Sequence, residues 1–266
     1  MHEFNDEVEQ LADEILAYAL ERLKSDPPLD GPQSPEELLA QAGNTITNDG
    51  LGGEKTLKLF REVLAKACIS TDHPRYLAFI PSAPSEYSSL FDLVVGATAV
   101  YGGSWLEGAG AVFAENQALR WIADLAGLPK EAGGVFVQGG TLGNLSALVV
   151  AREYERIANK NVVEWVIACN KYAHSSIKAS AMVMDALVLQ VEPGADGVMR
   201  GEDLDKAIAE YELANPTHKI FAVVATAGST NLGIIDDLES CGKVLRGHLV
   251  CCRHLLTHTS VTSTKP

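Results

Sequence analysis

Val162-Val163-Glu164-Trp165-Val166-Ile167-Ala168, Leu187-Val188-Leu189-Gln190-Val191 and Ile220-Phe221-Ala222-Val223-Val224-Ala225-Thr226 are the runs on which the fold turns. Each is a short, nearly continuous apolar stretch rich in β-branched residues, of strand length and bounded by polar segments. Residues 174–184 and 201–214, between them, carry helical periodicity. Upstream, the apolar triplet Val135-Phe136-Val137 reads as a further strand, followed by Gly139-Gly140 and a helix over 142–158. Short apolar strands alternating with helices predict βαβ units and a mainly parallel sheet covered on both faces. The fold class is α/β.

Further towards the N-terminus only helices are expected. Phe4, Val8, Leu11, Ile15, Leu16, Ala19 and Leu23 recur at spacings of three and four, which predicts an amphipathic helix over 4–24. Ser34-Pro35-Glu36-Glu37 has the form of a helix start, with Ser as N-cap, Pro at the first position and Glu at the third. Further helices are expected over 54–67, 87–99 and 111–126. Three parts follow: a helical segment at 1–70, a large domain at 71–240 and a tail at 241–266.

The tail differs in composition. Residues 241–266 contain no Asp or Glu, although the chain holds 35. They carry Cys241, Cys251 and Cys252 of the five cysteines, and His248, His254 and His258 of the seven histidines. Thiols and imidazoles together suit zinc, but the spacing is not that of a finger and no metal is expected. The tail is expected to lie outside the fold, as unrelated sequence entered by a frameshift or splice would.

A net charge of −14 disfavours a nucleic-acid partner, which needs a basic patch, and an anionic membrane surface. The acidic start, Met1 to Glu7, has no apolar core of a signal peptide, and no run reaches the length of a membrane helix. Five irregularly spaced cysteines suggest no disulfide framework. The expectation is a cytoplasmic protein.

Three polar clusters follow expected strands. In Gln138-Gly139-Gly140-Thr141-Leu142-Gly143-Asn144 a glycine turn opens a helix, whose unpaired first-turn N–H groups and dipole favour an anion. The spacing is neither that of a Walker loop nor of a dinucleotide fingerprint, and a plain strand-to-helix turn reads equally well. Tyr172-Ala173-His174-Ser175-Ser176-Ile177-Lys178 places His174 where a strand gives way to its helix; by itself such a histidine is more often a cap or surface residue. Ala225-Thr226-Ala227-Gly228-Ser229-Thr230, running on to Asp236-Asp237, is the third, with a turn and an Asp helix cap as its plainer reading. Parallel strands would bring all three to one crevice at their C-terminal ends.

These segments, in this order, resemble the aromatic-amino-acid and glutamate decarboxylases, group II pyridoxal-phosphate (PLP) enzymes of the aspartate-aminotransferase fold type I. His73-Pro74-Arg75-Tyr76-Leu77-Ala78-Phe79-Ile80-Pro81, Ser104-Trp105 and Glu115-Asn116 add to the likeness, which covers roughly 70–240. The resemblance implies a PLP-dependent carboxy-lyase acting on an amino acid as a homodimer. It implies that Gly139, Gly140 and Thr141 hold the cofactor phosphate, with Asn144 bracing the loop. His174 would stack on the pyridine ring, Thr230 and Asp236 would lie at the cofactor, and Pro81 and Ser82 would border the substrate pocket.

Two departures stand out. The family's Asp-Ala-Ala-type motif and its later His-Lys, the source of the Schiff-base lysine, are both absent: no Asp follows Asp237, and beyond it neither Lys243 nor Lys265 follows a histidine. The expectation is therefore a chain that tracks the family to about Glu239 and is inactive as written. The alternatives are another fold-type I PLP enzyme, an aminotransferase or a carbon–carbon or carbon–sulfur lyase, and a non-catalytic fragment.

Overall fold

Alternation along the strands sends side chains to opposite faces of a sheet, and the computed structural model, which describes residues 3–78 and 83–247, shows both faces filled. Contacts divide the chain into two compact units, with the boundary between Val100 and Tyr101.

The first unit is helical. Helix α1 (Asp6–Lys24) is capped by Asn5, whose side chain accepts from the Val8 N–H. Helix α2 (Pro35–Ala42) has the expected capping box: Ser34 Oγ accepts from the Glu37 N–H, and the Glu37 carboxylate accepts from the Ser34 N–H. The helix expected over 54–67 is one helical run that changes pitch: α3 (Gly53–Leu59), a π turn at Phe60–Leu64, then a 3₁₀ turn at Ala65–Ala67. Gly53 is pressed against Leu11 of α1, where a Cβ would collide with the leucine side chain. Tyr18 of α1 meets Phe60 edge-on, 6.2 Å between ring centroids, and Arg22 pairs with Asp72 at 2.6 Å. Helix α4 (Glu86–Ala97) is capped by Ser85. Pro81 and Ser82 lie outside the described residues.

The second unit begins with α5 (Trp105–Leu125), which starts earlier than expected and bends at Gly108 (φ −129°, ψ 37°). A Cβ at Gly108 would strike the Tyr101 carbonyl, so glycine permits the approach. Helix α6 (Gly139–Ala158), β1 (Glu164–Asn170), α7 (Ser176–Val183), β2 (Leu187–Val191), α8 (Gly201–Ala214), β3 (His218–Val224) and α9 (Leu238–Gly247) follow. The sheet is parallel, in the order β2-β1-β3. The fold is the expected α/β class.

One core lies under α8 and α9, where Val166, Ala168, Ile220 and Val223 of the strands meet Leu204, Ile208, Cys241 and Leu245. The other lies under α6 and α7, with Ile167, Cys169, Phe221, Ala222 and Val224 against Leu148, Ala151, Ile177 and Ala181. The β1–β3 register shifts between Val166 and Ile167, leaving Phe221 as the extra residue. This bulge explains why the consecutive Phe221 and Ala222 share a face. Burying a side chain such as Leu148, Ile167 or Phe221 contributes roughly 1.5–3 kcal/mol.

Two expectations are corrected. Val135-Phe136-Val137 is not a strand: the segment is irregular, with Val135 and Phe136 exposed. An apolar triplet becomes a strand only when a neighbour takes its backbone hydrogen bonds, and among the described residues the sheet has β2 and β3 on its flanks. The composition break at 240 is also not an edge of packing. Helix α9 crosses it, Cys241 and Leu245 are buried in the core, and Ser240 Oγ accepts from the Gly201 N–H at 2.8 Å. Its apolar side fits the groove beside α8, which composition does not reveal. The remainder of the tail, with Cys251, Cys252 and the histidines from His248 on, lies outside the described residues.

Candidate active site

Strand ends and the helix starts that follow them converge at the C-terminal edge of the sheet. Helix α6 opens at Gly139, earlier than expected, so the glycines form its first turn instead of leading up to it. Gly139 sits at φ +81°, a conformation glycine adopts without penalty. Its N–H donates to the Val137 carbonyl at 2.9 Å. The N-cap residue, Gln138, makes no side-chain cap bond, so the N–H groups that follow have no intrahelical acceptor and no cap. A Cβ on Gly139 or Gly140 would meet nothing within 4 Å. An uncapped helix start facing open space offers the unpaired N–H donors that an anion needs.

Asn144, one turn further on, is buried, and its Nδ2 donates to Ser176 Oγ at 2.8 Å. Ser176 opens α7 and contacts His174 twice: its Oγ lies 2.9 Å from Nδ1, and its N–H donates to the same nitrogen at 3.1 Å. The structure thus joins the glycine loop and the His174 loop through Asn144 and Ser176.

His174 is carried by a turn built on Asn170, the last residue of β1. The Asn170 carbonyl accepts from the Ala173 N–H at 2.8 Å, and its Oδ1 accepts from the Tyr172 N–H at 3.0 Å. Its Nδ2 donates to the Gly197 carbonyl at 3.0 Å and to Asp236 Oδ1 at 2.7 Å. Every polar atom of this buried side chain is used.

Asp236 is 3% exposed. Its Oδ1 also accepts from the Met199 N–H at 2.9 Å, and its Oδ2 accepts from the Thr226 N–H at 2.7 Å. The resemblance sets Asp236 at the cofactor; in the structure its carboxylate is taken up inside the fold, joining the end of β1, the approach to α8 and the end of β3. Asp237 caps α9: its Oδ1 accepts from the Ser240 N–H at 3.0 Å, and that bond holds its carboxyl below the usual range. The plainer reading of this cluster, a turn with an Asp cap, therefore describes Asp237.

Ala227 and Ile235 bridge antiparallel, closing a small loop with Ser229 buried and Thr230 exposed near its tip. Thr226 Oγ1 is buried without a hydrogen-bond partner. Burial raises the Cys169 thiol to about 11 and the Cys241 thiol to about 12, so neither is a nucleophile near neutral pH. Lys171 pairs with Glu192, and Lys178 is exposed.

Sequence reasoning missed two residues. Ser176 stands inside the quoted His-Ser-Ser run, and the signal available was its place at the helix start. Asn170 had none, because its partner Asp236 is 66 positions away.

The profile of the pyridoxal-dependent decarboxylase conserved domain matches residues 35–255, continuing past the break at 240. An aromatic-L-amino-acid decarboxylase of Bacillus atrophaeus is 28% identical over 198 residues, which are 73% of this chain and 40% of that protein. An L-2,4-diaminobutyrate decarboxylase of Acinetobacter baumannii is 23% identical over 225 residues, covering 77% of this chain and 44% of the relative. The chain thus spans less than half the length of these relatives. Among solved structures, mouse CSAD in apo form superposes with a TM-score of 0.82 at 22% identity, over 94% of this chain and 54% of that one. Oryza sativa TDC with PLP and tryptamine gives 0.82 at 19% identity, over 96% and 58%. At such identities the structures establish the fold, that of the PLP decarboxylases. The profile match over most of the chain establishes the family: this chain belongs to the pyridoxal-dependent decarboxylases.

Proposed function

We propose that this chain carries the phosphate cradle and ring-face side of a PLP site, in a protein that decarboxylates an amino acid. The observation behind this is the helix start at Gly139: uncapped, open beside Gly139 and Gly140, and tied through Asn144 and Ser176 to His174. A phosphate dianion needs convergent N–H donors and room for its oxygens, and this helix start offers both. The residues fit the group.

On this reading the N–H groups of Gly140 and Thr141 and the Thr141 hydroxyl bind the phosphate, and Gly139 supplies the left-handed turn. His174 presents its ring to the pyridine, and Thr230 approaches from the loop after β3. Asp236 acts as a brace and not as a cofactor contact. When bound, PLP supplies the electron sink for loss of carbon dioxide. The one His-Lys pair, His218-Lys219, opens β3 ahead of the Asp236 loop, and none follows Asp237 where the family's would stand, so the contribution of these residues on this reading is binding and orientation.

The protein is further proposed to be a cytoplasmic homodimer. Among the described residues no helix is long and apolar enough to cross a membrane, and α5 exposes Phe113, Trp121 and Leu125, apolar surface of the kind subunits cover.

The test is calorimetric titration of PLP into the chain and into Thr141→Ala. Removing a hydrogen bond to a charged group should weaken binding about tenfold or more. Equal affinity would remove Thr141 from the site, and no binding by either would overturn the cradle.

A further inference from the structure

We propose that Asn144 and Ser176 are positioning residues that hold the His174 imidazole as a single neutral tautomer, with its proton on Nε2. The ring contact of His174 belongs to the proposed cofactor site, and only the consequence for binding rests on that reading; the tautomer is a property of the chain.

Proton accounting leads to it. Asn144 Nδ2 can only donate, and it meets Ser176 Oγ at 2.8 Å. The serine oxygen is therefore the acceptor in that bond, and its single proton is free to go elsewhere. His174 Nδ1 stands 2.9 Å from the same oxygen. The Ser176 N–H, which can only donate, also points at Nδ1, at 3.1 Å. Two donors converge on one ring nitrogen, which accepts only if it carries no proton. In a neutral imidazole the proton then sits on Nε2.

Burial makes the arrangement one-directional. Asn144 is 4% exposed and Ser176 3%, so water cannot readily replace either partner, and reversing the order would leave a buried donor facing a donor. Asn144 is carried by α6 and Ser176 by α7, whose inner faces share a core with Ile167 and Phe221 of the sheet. The ring orientation is thereby referred to the helix that begins with the glycine cradle. This gives Asn144 a task besides bracing its own loop: it sets the proton of the serine that sets the histidine.

The experiment uses the chain without PLP, labelled with ¹⁵N-histidine, and records two-bond ¹H–¹⁵N correlations of the imidazoles at pH ~8.5, about two units above the ordinary histidine value. The His174 signals are those lost in His174→Gln. The expected result is one tautomer, with a pyridine-type Nδ1 and a pyrrole-type Nε2, unlike the averaged pattern of a freely exchanging exposed imidazole.

In Asn144→Asp the serine proton turns to the new carboxylate and Nδ1 faces an oxygen lone pair. Signals should shift toward the Nδ1-protonated form. Ser176→Ala should move His174 toward the averaged pattern, and Ser176→Thr, which keeps the hydroxyl, should restore the single form. A wild-type His174 that averages between tautomers, or is protonated at Nδ1, overturns the proposal however the variants fold.

PLP titrated into the same samples separates the two readings. A fixed tautomer with no PLP binding would overturn the cofactor site and leave this inference standing. With binding, Ser176→Ala should lose affinity roughly fivefold, the weight of one neutral hydrogen bond.

Discussion

Replacing Asp236 by asparagine changes one oxygen into an NH₂ group at almost constant volume, so packing is conserved and the hydrogen-bond network alone is perturbed. In the less costly orientation the remaining oxygen keeps Asn170 Nδ2 and the Met199 N–H, and the new amide faces the Thr226 N–H across a gap of 2.7 Å. A hydrogen bond to a charged acceptor contributes about 1.5–3 kcal/mol, and a buried donor left unpaired costs about 1–3 kcal/mol. These overlap, so the expected loss is about 3 kcal/mol; the flipped amide would set two donors against its NH₂ and cost more. For a domain of this size 1 kcal/mol moves the midpoint by roughly 2–4 °C, which gives a fall in Tm of about 6–12 °C. Near-ultraviolet circular dichroism of Trp165, edge-on to Phe221 at 6.1 Å in the core, reports the melting of this unit. Faster amide exchange at Met199 and Thr226 should accompany it. A Tm within about 2 °C of wild type, with PLP affinity lost, would refute the brace and make Asp236 the cofactor contact implied by the resemblance.

The buried thiols give a second expectation. Burial raises Cys169 to about 11 and Cys241 to about 12, so both stay protonated until pH rises toward those values; at pH ~8 iodoacetamide should label the exposed Cys68 and spare them until denaturant is added. Labelling of Cys241 in the native chain as fast as Cys68 would mean that α9 is not seated. The Asp196 carboxyl is held down to about 2, first by hydrogen bonds from the Arg200 guanidinium and then by the Val198 N–H. A folded value below the ordinary 3.8 means that its stabilising contribution is complete above pH 3.8 and fades as pH falls toward 2; carboxyl ¹³C titration should show that low midpoint, and Arg200→Gln should return it toward the ordinary range.

Much of this protein was legible along the chain. Leu187–Val191 and Gly201–Ala214 stand where their patterns put them, and Ser34 caps α2 through the bonds its motif implies. Local patterns suffice there because strand runs, caps and helix periods depend on residues within a turn or two. The glycine turn, the histidine after β1 and the hydroxyls after β3 were visible for the same reason, and their order pointed to the family.

Tertiary structure decided what depends on partners distant in the chain. Val135-Phe136-Val137 has the composition of a strand, but pairing makes a strand and composition does not. Cys241 and Leu245 lie in a segment whose composition looks foreign, yet they pack beside α8, because a groove accepts any apolar side chain of the right size and spacing. Asp236 reads as a site acid, and only the folded chain shows its carboxylate accepting from Asn170, Met199 and Thr226. By itself the sequence determined most of the elements and what chemistry their ends could carry; only the folded chain decided which of these side chains bind one another, because hydrogen bonds across 32 and 66 positions exist once the strands lie side by side.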